Sequence, residues 1–445
     1  MENLNQNERR KTMVTSNNST DSGSITKGRS ICLLNDSFPP LIDGVSNTVV
    51  NYADQLQKLG HKAIVITPDN PEAQDSNFTY PIRRYPSIST ERFEGYPAGI
   101  PFSPHISRYI KKQNIDLIHT HCPVTSAVMA RELQHITGVP IVFTYHTKFD
   151  VDIGHIFKSK PLQALAQKAL LANISACDEV WAVSKGAGEN LRAMGYDGEY
   201  IVMPNGVDLP LGKASTQIIA SATAGYDLPF DIPVYLFVGR MMWYKGLRII
   251  IDALTKLNAE GKNFRMVFIG SGDDREEIEA YAECCGISNK CIFTGAIHSR
   301  ENLRGWYSRA NLFLFPSTYD TNGLVVREAA ACSLGSVLIQ GSCAAEGVTD
   351  GRNGLLISEN ADSLAACLRN LTMEKMQKVG CAAARELYLS WEAAVSFAAE
   401  RYETVIEHFQ HTRKNHPRKA LDRIVKINAE FMNALSSIPP IQKDN

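Results

Sequence analysis

The sequence predicts an α/β protein made of two successive doubly wound domains, each built around a parallel sheet. Short apolar runs alternate with helical patterns along most of the chain, as in repeated βαβ units. The alternation forms two series, separated by residues 209–230, where Gly, Ser, Thr, Ala and Pro occur without periodicity. A length of 445 residues suits two to three domains. We therefore expect two domains joined by a linker at 209–230.

Composition narrows the class of protein. Hydrophobic residues make up 44% of the chain and charged residues 21%, enough to bury sizeable cores. The 46 basic and 47 acidic residues nearly cancel, which argues against bulk binding of nucleic acid. Ten cysteines without a CxxC pair indicate reduced thiols in the cytoplasm. No secretory signal and no apolar run of about 20 residues is visible, so we expect any membrane contact to be peripheral.

The first series is expected to form a domain over residues 29–208. Residues 1–28 precede it and are polar, so we predict that they are disordered. The predicted elements are, in order, the strand SICLLND, the helix TVVNYADQLQKLG, a strand from Lys62 to Thr67, the strand IDLIHTH, a helix from Val124 to Ile136, the strand VPIVFTYHT, the strand DEVWAVS, a helix from Lys185 to Met194, and the strand EYIVMPNGVD.

The second series is expected to form a domain over residues 231–387. A long helical pattern at 388–410 and a basic tail at 411–445 follow it. The predicted elements are, in order, VYLFVGR, the helix KGLRIIIDALTKL, FRMVFIG, the helix DDREEIEAYAECC, CIFTG, the helix ENLRGWYSRA, NLFLFPS, a helix opened by Gly323, and VLIQG. Because parallel strands present their carboxyl ends at one edge, the two domains can share a ligand cleft.

The stretch Phe315–Leu334 has the order expected of an anion site. A polar loop, 318–322, follows an apolar strand, and Gly323 then opens an Ala-rich helix. Free N–H groups at a helix start attract phosphate, and the flanking carboxylates of Asp320 and Glu328 accept hydrogen bonds from sugar hydroxyls. An ordinary βα turn in which the Asp caps the helix remains an alternative at this point.

A second candidate for phosphate binding lies in VGRMMWYKG. Arg240 and Lys245 directly follow a strand and flank a helix start, where two cations suit a diphosphate. A solvated basic loop is the alternative. Gly270 and Gly272 follow the next strand, but the third glycine of a dinucleotide fingerprint is replaced by Arg275. Their close backbone suits a phosphate better than a nicotinamide cofactor.

Histidines and acids of the first series offer fewer signals. His119 and His121 form an HTH that has no third metal ligand at a suitable spacing, so we expect core or strand-end histidines. His146 ends a strand and either donates to a substrate hydroxyl or caps a turn. Asp150 and Asp152 form a DxD, which is common by chance, and we predict no metal site. No G-x-S-x-G elbow or Walker lysine is present, which excludes the corresponding hydrolases and NTPases.

The ordered series of motifs resembles the retaining glycosyltransferases of family 4. The motifs that carry the resemblance are PPLIDGVSNTV, DLIHTH, FTYHT, VWAVSKGAGENL, VMPNGVD, FVGRMMWYKG, FIGSGDD and FPSTYDTNGLVVREAAA. They cover about Ile31 to Tyr402. The resemblance implies the GT-B architecture, in which two Rossmann-like domains face each other and a C-terminal helix crosses back.

The resemblance also implies roles for individual residues. A nucleotide-diphosphate sugar would bind mainly to the second domain. Arg240 and Lys245 would bind its diphosphate, and Gly44 would let the first loop approach the phosphates. Glu328 would accept hydrogen bonds from the ribose hydroxyls, and Asp320 and His146 would contact the transferred sugar. The backbone that would hold both sugar and phosphates is that of Asn322, Gly323, Leu324 and Val325. The family usually has Glu where this chain has Asp320, and often an aromatic residue in place of Asn322.

The expected function is therefore transfer of a hexose from a UDP- or GDP-sugar to an acceptor hydroxyl, without a metal cofactor. A basic, amphipathic segment from His411 to Lys426 suits a peripheral contact with the inner membrane face and a glycolipid acceptor such as diacylglycerol. A solvated C-terminal helix is the alternative for this segment. A polysaccharide or a soluble sugar as acceptor, and a catalytically silent sugar-nucleotide-binding protein, also remain open.

Overall fold

A computed structural model describes residues 28–41, 43–88, 98–157 and 159–412. The predicted disordered segment 1–28 and the predicted basic tail 411–445 lie almost wholly outside these residues. Both therefore stay predictions.

The first domain is built on a seven-stranded parallel sheet. Its strand order is β3-β2-β1-β6-β7-β8-β9. All of these strands are parallel, and the order in which the chain adds them reverses between β1 and β6, which is the switch point of the sheet. The strands are β1 (Ser30–Leu34), β2 (Lys62–Pro68), β3 (Ile82–Tyr85), β6 (Leu117–Thr120), β7 (Ile141–Tyr145), β8 (Glu179–Ala182) and β9 (Ile201–Val202), and β4 (Ser87–Ile88) pairs with β5 (Ala98–Gly99) as a separate antiparallel ribbon. β1 and β7 are completely buried, as expected of strands covered by helices on both faces.

In the described part of this domain, six helices flank the sheet. They are α1 (Gly44–Lys58), α2 (Pro104–Lys111), α3 (Thr125–Thr137), α4 (Phe149–Ile156), α5 (Lys160–Ile174) and α6 (Lys185–Ala193). α1 begins four residues before the predicted TVVNYADQLQKLG because Asp43 caps it, accepting from the backbone N–H groups of Val45 and Ser46 at 2.7 Å. α2, α4 and α5 were not predicted from the sequence.

The second domain is built on a six-stranded parallel sheet with the order β12-β11-β10-β13-β14-β15. Its strands are β10 (Val234–Val238), β11 (Arg265–Ile269), β12 (Cys291–Gly295), β13 (Leu312–Phe315), β14 (Ser336–Ile339) and β15 (Leu355–Ile357). Its helices are α8 (Leu247–Ala259), α9 (Arg275–Cys284), α10 (Arg300–Arg309), α11 (Leu324–Ala331), α12 (Ala361–Arg369) and α13 (Met373–Glu386). The predicted α/β class with two doubly wound sheets is confirmed.

The segment 209–230, predicted as a linker, has a short helix of its own. It contains α7 (Thr216–Ala222), which Ser215 caps by accepting from the backbone N–H of Ile218 at 3.3 Å. α7 packs on α10 at Gly305, where a Cβ would come within 2.6 Å of Ala222 Cβ. The sequence pattern missed this helix because it is short, and its one apolar pair is diluted by Ser, Thr and Ala.

The last described helix returns the chain to the first domain, which confirms the predicted crossover helix. It is α14 (Trp391–Thr412), and it packs on α1 and on the core beneath the first sheet. Tyr402 stacks on Trp181 of β8, with ring centroids 5.4 Å apart and planes 14° apart. Among the described helices, none combines the length and the apolar character that crossing a membrane requires.

Candidate active site

Lys245 and Asp320 meet where the order of the second sheet reverses. Their loops follow the neighbouring parallel strands β10 and β13. Gly246 has a positive φ of 77°, and a Cβ on it would come within 2.1 Å of the Pro316 carbonyl oxygen, so only glycine lets the two loops touch. The Lys245 ammonium then lies 2.8 Å from Asp320 Oδ1, with side chains only 8% and 23% exposed. Ligands of doubly wound proteins bind at such a switch point.

Asp320 does not cap the helix that follows it, so the capping role that the ordinary-turn alternative gives to this residue is wrong. The N-cap of α11 is Gly323, in a left-handed conformation with φ of 60°, and no side chain caps the helix start. A Cβ on Gly323 would come within 2.9 Å of Ala344. The second carboxylate oxygen of Asp320 instead accepts from the Ser317 hydroxyl at 2.6 Å. Among the residues that the structure describes, no side chain therefore accepts from the positive end of α11.

An uncapped helix start and two tyrosine rings surround Lys245. α8 also begins at a glycine, Gly246, without a side-chain cap. The rings of Tyr244 and Tyr319 lie 4.7 Å apart, and the Lys245 ammonium lies 5.5 Å and 5.3 Å from their centroids. Two ring faces and one carboxylate thus hold the ammonium in place.

Arg240 is exposed beside this cluster. Its guanidinium lies 5.9 Å from the Tyr244 ring, and within the described ranges no carboxylate forms an ion pair with it. Its charge is therefore available to an anionic ligand, and the predicted contact with a diphosphate stays a prediction.

Gly270 and Gly272 have a packing role. Gly270 has φ of 147°, and a Cβ on it would lie 1.9 Å from the Gly239 carbonyl oxygen. A Cβ on Gly272 would lie 2.5 Å from the Met241 carbonyl oxygen. Both glycines thus let the loop after β11 lie against the loop that carries Arg240. Direct contact of these glycines with a donor stays a prediction.

Glu328 lies on α11, and two residues that the sequence analysis missed hold its carboxylate. Arg300 donates to Oε1 at 2.6 Å and Tyr307 donates to Oε2 at 3.0 Å. Burial lowers the pKa of Arg300, but the negative charge of Glu328 and, to a smaller extent, that of Asp208 raise it. The net effect is a raised pKa. Burial and then Glu328 raise the pKa of Tyr307 well above its usual value. Arg300 and Tyr307 lie seven positions apart on one face of α10, which is the only sequence signal for them.

The side chain of Asn322 is unusual for a buried amide. Only 9% of the residue is exposed, and neither polar atom of its amide has a hydrogen-bond partner among the described residues. It lines a small cavity together with Gly323, Ala344 and Glu346. Buried amides are normally paired, so this side chain has unused donors and acceptors beside the helix start.

Gly44 lies at the start of α1, on the cleft side of the first sheet. A Cβ there would meet no atom within 4 Å, so the packing of the protein does not itself require a glycine at this position. The predicted reason, close approach of a ligand, stays a prediction.

His146 connects the first domain to the loop that carries Asp320. It directly follows β7 and is 7% exposed. Its carbonyl oxygen accepts from the Thr321 hydroxyl at 2.6 Å, one residue after Asp320. Its ring Nε2 lies 3.0 Å from Nδ1 of His121. Burial lowers the pKa of His146 to about 3, so the ring is neutral.

The other polar residues singled out in the first domain are His119, His121, Asp150 and Asp152. His119 and His121 are buried in the core, as predicted. The Asp150 carboxylate accepts from the Asn190 amide at 3.1 Å, while the side chain of Asp152 lies outside the described residues.

Further contacts hold the loop 318–322 from across the cleft. Lys148 donates to the Thr318 carbonyl at 3.0 Å, and Ser184 donates to the Thr321 carbonyl at 2.5 Å. These contacts join the first domain to the loop of the second domain that carries Asp320.

A second patch of the second domain also reaches across the cleft. The Glu346 carboxylate accepts from the backbone N–H groups of Lys185 and Gly186 at 2.8 and 2.5 Å and so caps α6. A Cβ on Gly186 would come within 2.6 Å of Cys343 Sγ, so glycine permits this close contact. The cleft therefore combines cations, an uncapped helix start and carboxylates, which suits a ligand with both phosphate and hydroxyl groups.

Two family models match this chain, one over each domain. The family model described as Glycosyltransferase Family 4 matches residues 42–210, and the model described as Glycosyl transferases group 1 matches residues 226–384. The alpha-monoglucosyldiacylglycerol synthase of Acholeplasma laidlawii is 25% identical over 344 residues, covering 75% of this chain and 85% of that protein. The GDP-mannose-dependent alpha-mannosyltransferase of Mycobacterium tuberculosis is 26% identical over 392 residues, covering 85% of this chain and 97% of that protein.

Solved structures agree with the fold. Sucrose-phosphate synthase from Thermosynechococcus elongatus has a TM-score of 0.68 and 22% identity, covering 85% of this chain and 100% of that chain. Anabaena HepE in complex with UDP has a TM-score of 0.63 and 18% identity, covering 92% of this chain and 100% of that chain. These similarities confirm the GT-B arrangement of two facing Rossmann-like domains.

Proposed function

Because this chain belongs to the group 1 glycosyltransferases of family 4, we propose that it transfers a hexose, with retention of anomeric configuration, from a UDP- or GDP-hexose to a hydroxyl of a membrane lipid such as diacylglycerol. The observation that carries the proposal is the junction of Lys245 and Asp320 beside an uncapped helix start. It places a cation that can bind phosphate at hydrogen-bonding distance from a carboxylate that can bind a sugar hydroxyl.

The second domain holds the nucleotide part of the donor. Arg240, Lys245 and the start of α11 at Gly323 neutralise the diphosphate, and Glu328, oriented by Arg300 and Tyr307, accepts from the ribose hydroxyls. Fixed donors and cations of this kind stabilise charge as it develops. We propose that they suffice without a divalent cation.

The transferred sugar lies between Asp320 and His146. As the bond from the anomeric carbon to the diphosphate oxygen breaks, positive charge develops on the sugar and negative charge on the leaving phosphate. The acceptor hydroxyl attacks from the face that the phosphate leaves, and its proton passes to the departing phosphate oxygen. Lys245 contacts both Asp320 and the diphosphate. It therefore couples the residue that positions the sugar to the stabilisation of negative charge on the leaving diphosphate.

Two observations support a lipid acceptor. Relatives from Acholeplasma laidlawii and Streptococcus pneumoniae carry names that specify synthesis of a glucosyldiacylglycerol. In addition, the sequence after Thr412 contains Arg413, Lys414, Arg418, Lys419, Arg423 and Lys426 among apolar residues, which suits an anionic bilayer surface. We accordingly propose a peripheral location on the inner membrane face.

A matrix of donors and acceptors tests this proposal. UDP-glucose, UDP-galactose and GDP-mannose are each incubated with diacylglycerol in mixed micelles, with a soluble sugar, or with a polysaccharide, with and without EDTA. We expect nucleoside diphosphate release to depend on diacylglycerol and to be unchanged by EDTA, with an α-linked product by proton NMR. A β-linked product would exclude retention, and turnover only with the soluble sugar or polysaccharide would exclude the lipid acceptor.

Membrane contact is tested separately with a truncation that ends at Thr412. We expect the full chain to sediment with anionic vesicles at low salt and to be released at high salt, whereas the truncated chain stays in the supernatant. Equal sedimentation of both chains would show that the basic tail is not the membrane contact.

A further inference from the structure

We propose that His121 is a positioning residue, which donates a hydrogen bond to Nε2 of His146 and so keeps the proton of His146 on Nδ1. This inference rests on the proposed function, in which His146 faces the transferred sugar. It assigns to His146 the role of hydrogen-bond donor.

The two rings form a fixed pair. His121 Nδ1 lies 3.0 Å from His146 Nε2, and the rings stack with centroids 5.2 Å apart and planes 26° apart. Only 2% of His121 and 7% of His146 is exposed. A contact this buried has no water to compete for the shared hydrogen bond.

Both rings are neutral, so each carries one N–H. Burial lowers the pKa of His121 well below its usual value, and the neighbouring His119 and His146 lower it further. One nitrogen of the pair must therefore donate to the other, which leaves two arrangements. Either His121 donates from Nδ1, or His146 donates from Nε2.

The remaining nitrogen of His121 decides between them. Its Nε2 is buried and has no hydrogen-bond partner among the described residues. The adjacent His119 cannot supply one, because its two nitrogens already contact the hydroxyls of Tyr402 at 2.6 Å and Thr144 at 2.7 Å. If His146 donated, His121 would carry its proton on this isolated Nε2. Buried N–H groups without an acceptor are rarer than acceptors without a donor, so His121 donates from Nδ1.

The direction of the hydrogen bond between His121 and His146 determines whether His146 presents a donor or an acceptor to the cleft. With Nε2 accepting from His121, the His146 proton resides on Nδ1, for which no protein partner is found in the described part of the chain. An Nδ1–H donates to a hydroxyl oxygen, whereas the other tautomer would present a lone pair there. His121 thus sets the hydrogen-bonding polarity of a substrate contact without touching the substrate.

The tautomers are measured directly in the full chain, labelled with 15N-histidine, by long-range proton–nitrogen NMR. The His146 signals are assigned by their loss in His146→Asn. We expect pyrrole-type Nδ1 and pyridine-type Nε2 for His146. Protonated Nε2 at this residue would overturn the proposal, and this result does not depend on any catalytic activity.

Two substitutions of His121 provide the matched functional test. In His121→Asn the amide N–H replaces Nδ1, and in His121→Gln it replaces Nε2. We expect His121→Asn to keep the His146 tautomer and most of the kcat, and His121→Gln to lose the tautomer preference and about tenfold or more in kcat. Equal losses in both variants would overturn the proposal. His135→Asn, at the exposed end of α3, is the control and should change nothing.

Failure of the proposed function would look different. If His146→Asn left transfer at the wild-type rate, His146 would not contact the sugar, yet the NMR result would still report the direction of the hydrogen bond.

Discussion

The Lys245 ammonium lies 2.8 Å from Asp320 Oδ1, although the two residues are 75 positions apart in the chain. This contact joins the predicted phosphate clamp to the predicted sugar contact. It also explains why Asp320 does not cap α11, because its two oxygens are taken by Lys245 and Ser317. The candidate donor site is therefore one cluster, and we expect a change at either residue to affect both predicted functions.

Removing the Lys245 charge should chiefly slow the chemical step. We expect Lys245→Ala to lower kcat about 100-fold or more, because it loses a cation aimed at the leaving diphosphate. Steady-state kinetics measures this, and circular dichroism checks the fold. The control is Lys256→Ala, which removes an exposed lysine of α8 paired with Asp362. Wild-type activity in Lys245→Ala would contradict the assignment of the clamp.

Tyr307 should act on nucleotide binding rather than on chemistry. Tyr307→Phe keeps the packing of the ring but removes the hydrogen bond that orients Glu328. We expect the Kd for UDP or GDP, measured by calorimetry, to rise about fivefold to tenfold, with kcat largely retained. Tyr196→Phe removes a hydroxyl contact with the Glu199 carbonyl in the first domain and serves as the matched control. If the two variants bound the nucleotide equally well, Glu328 would not depend on Tyr307.

Most strands could be predicted from the sequence because their signals are local, although β3, β4, β5 and β15 were missed. Runs such as SICLLND and VYLFVGR coincide with β1 and β10, which are completely buried. Elements that depend on tertiary contacts were missed. α5 contains Ala, Gln and Lys between its leucines, which blurs its apolar face, and α7 is stable through packing on α10. Such short or weakly patterned helices have no local signal of sufficient strength.

The candidate site is most visible in the sequence where one loop carries several of its residues, whereas the roles of Gly44, His146 and Glu328 were named through the family resemblance. Arg240 and Lys245 share a loop, as do Asp320 and Gly323, so their motifs are visible in the sequence. Arg300 was not found, because its link to Glu328 arises only when α10 and α11 pack together. The direction of the Asp320 side chain was also hidden, since it depends on Lys245 from the neighbouring strand.

Glu346 should help to hold the two domains closed. It accepts from the first backbone N–H groups of α6 across the cleft. We expect Glu346→Ala to raise the KM for the donor severalfold and to increase the radius of gyration by small-angle scattering, because the helix cap is worth about 1 kcal/mol. Glu374→Ala, which breaks an exposed pair with Lys378 within α13, is the control. Unchanged KM and scattering would show that the contact does not contribute to closure.

The buried histidines should make stability depend on pH. The unfolded state binds a proton below a pKa of about 6.5, whereas burial lowers the pKa of native His146 to about 3. Between these values the unfolded state holds more protons, so the free energy of unfolding falls as pH decreases, by up to about 1.4 kcal/mol per pH unit for each histidine. Above about pH 6.5 this loss is absent.

Denaturant titrations between pH 7 and pH 4.5 measure this slope. His146→Asn should be less sensitive to acid than the wild type, and the exposed His135→Asn should match the wild type. An unchanged slope in His146→Asn would show that this ring is protonated in the native state.

Single-turnover transfer from a nucleotide-diphosphate hexose tests the central claim most directly. Excess enzyme is mixed with radiolabelled donor and diacylglycerol micelles, and nucleoside diphosphate and glycosylated product are quantified together. We predict equal amounts of both in the wild type, and strong loss of both in Lys245→Ala and Asp320→Asn with the donor still bound. Donor binding by the wild type without release of nucleoside diphosphate, for every donor and acceptor supplied, would contradict the account.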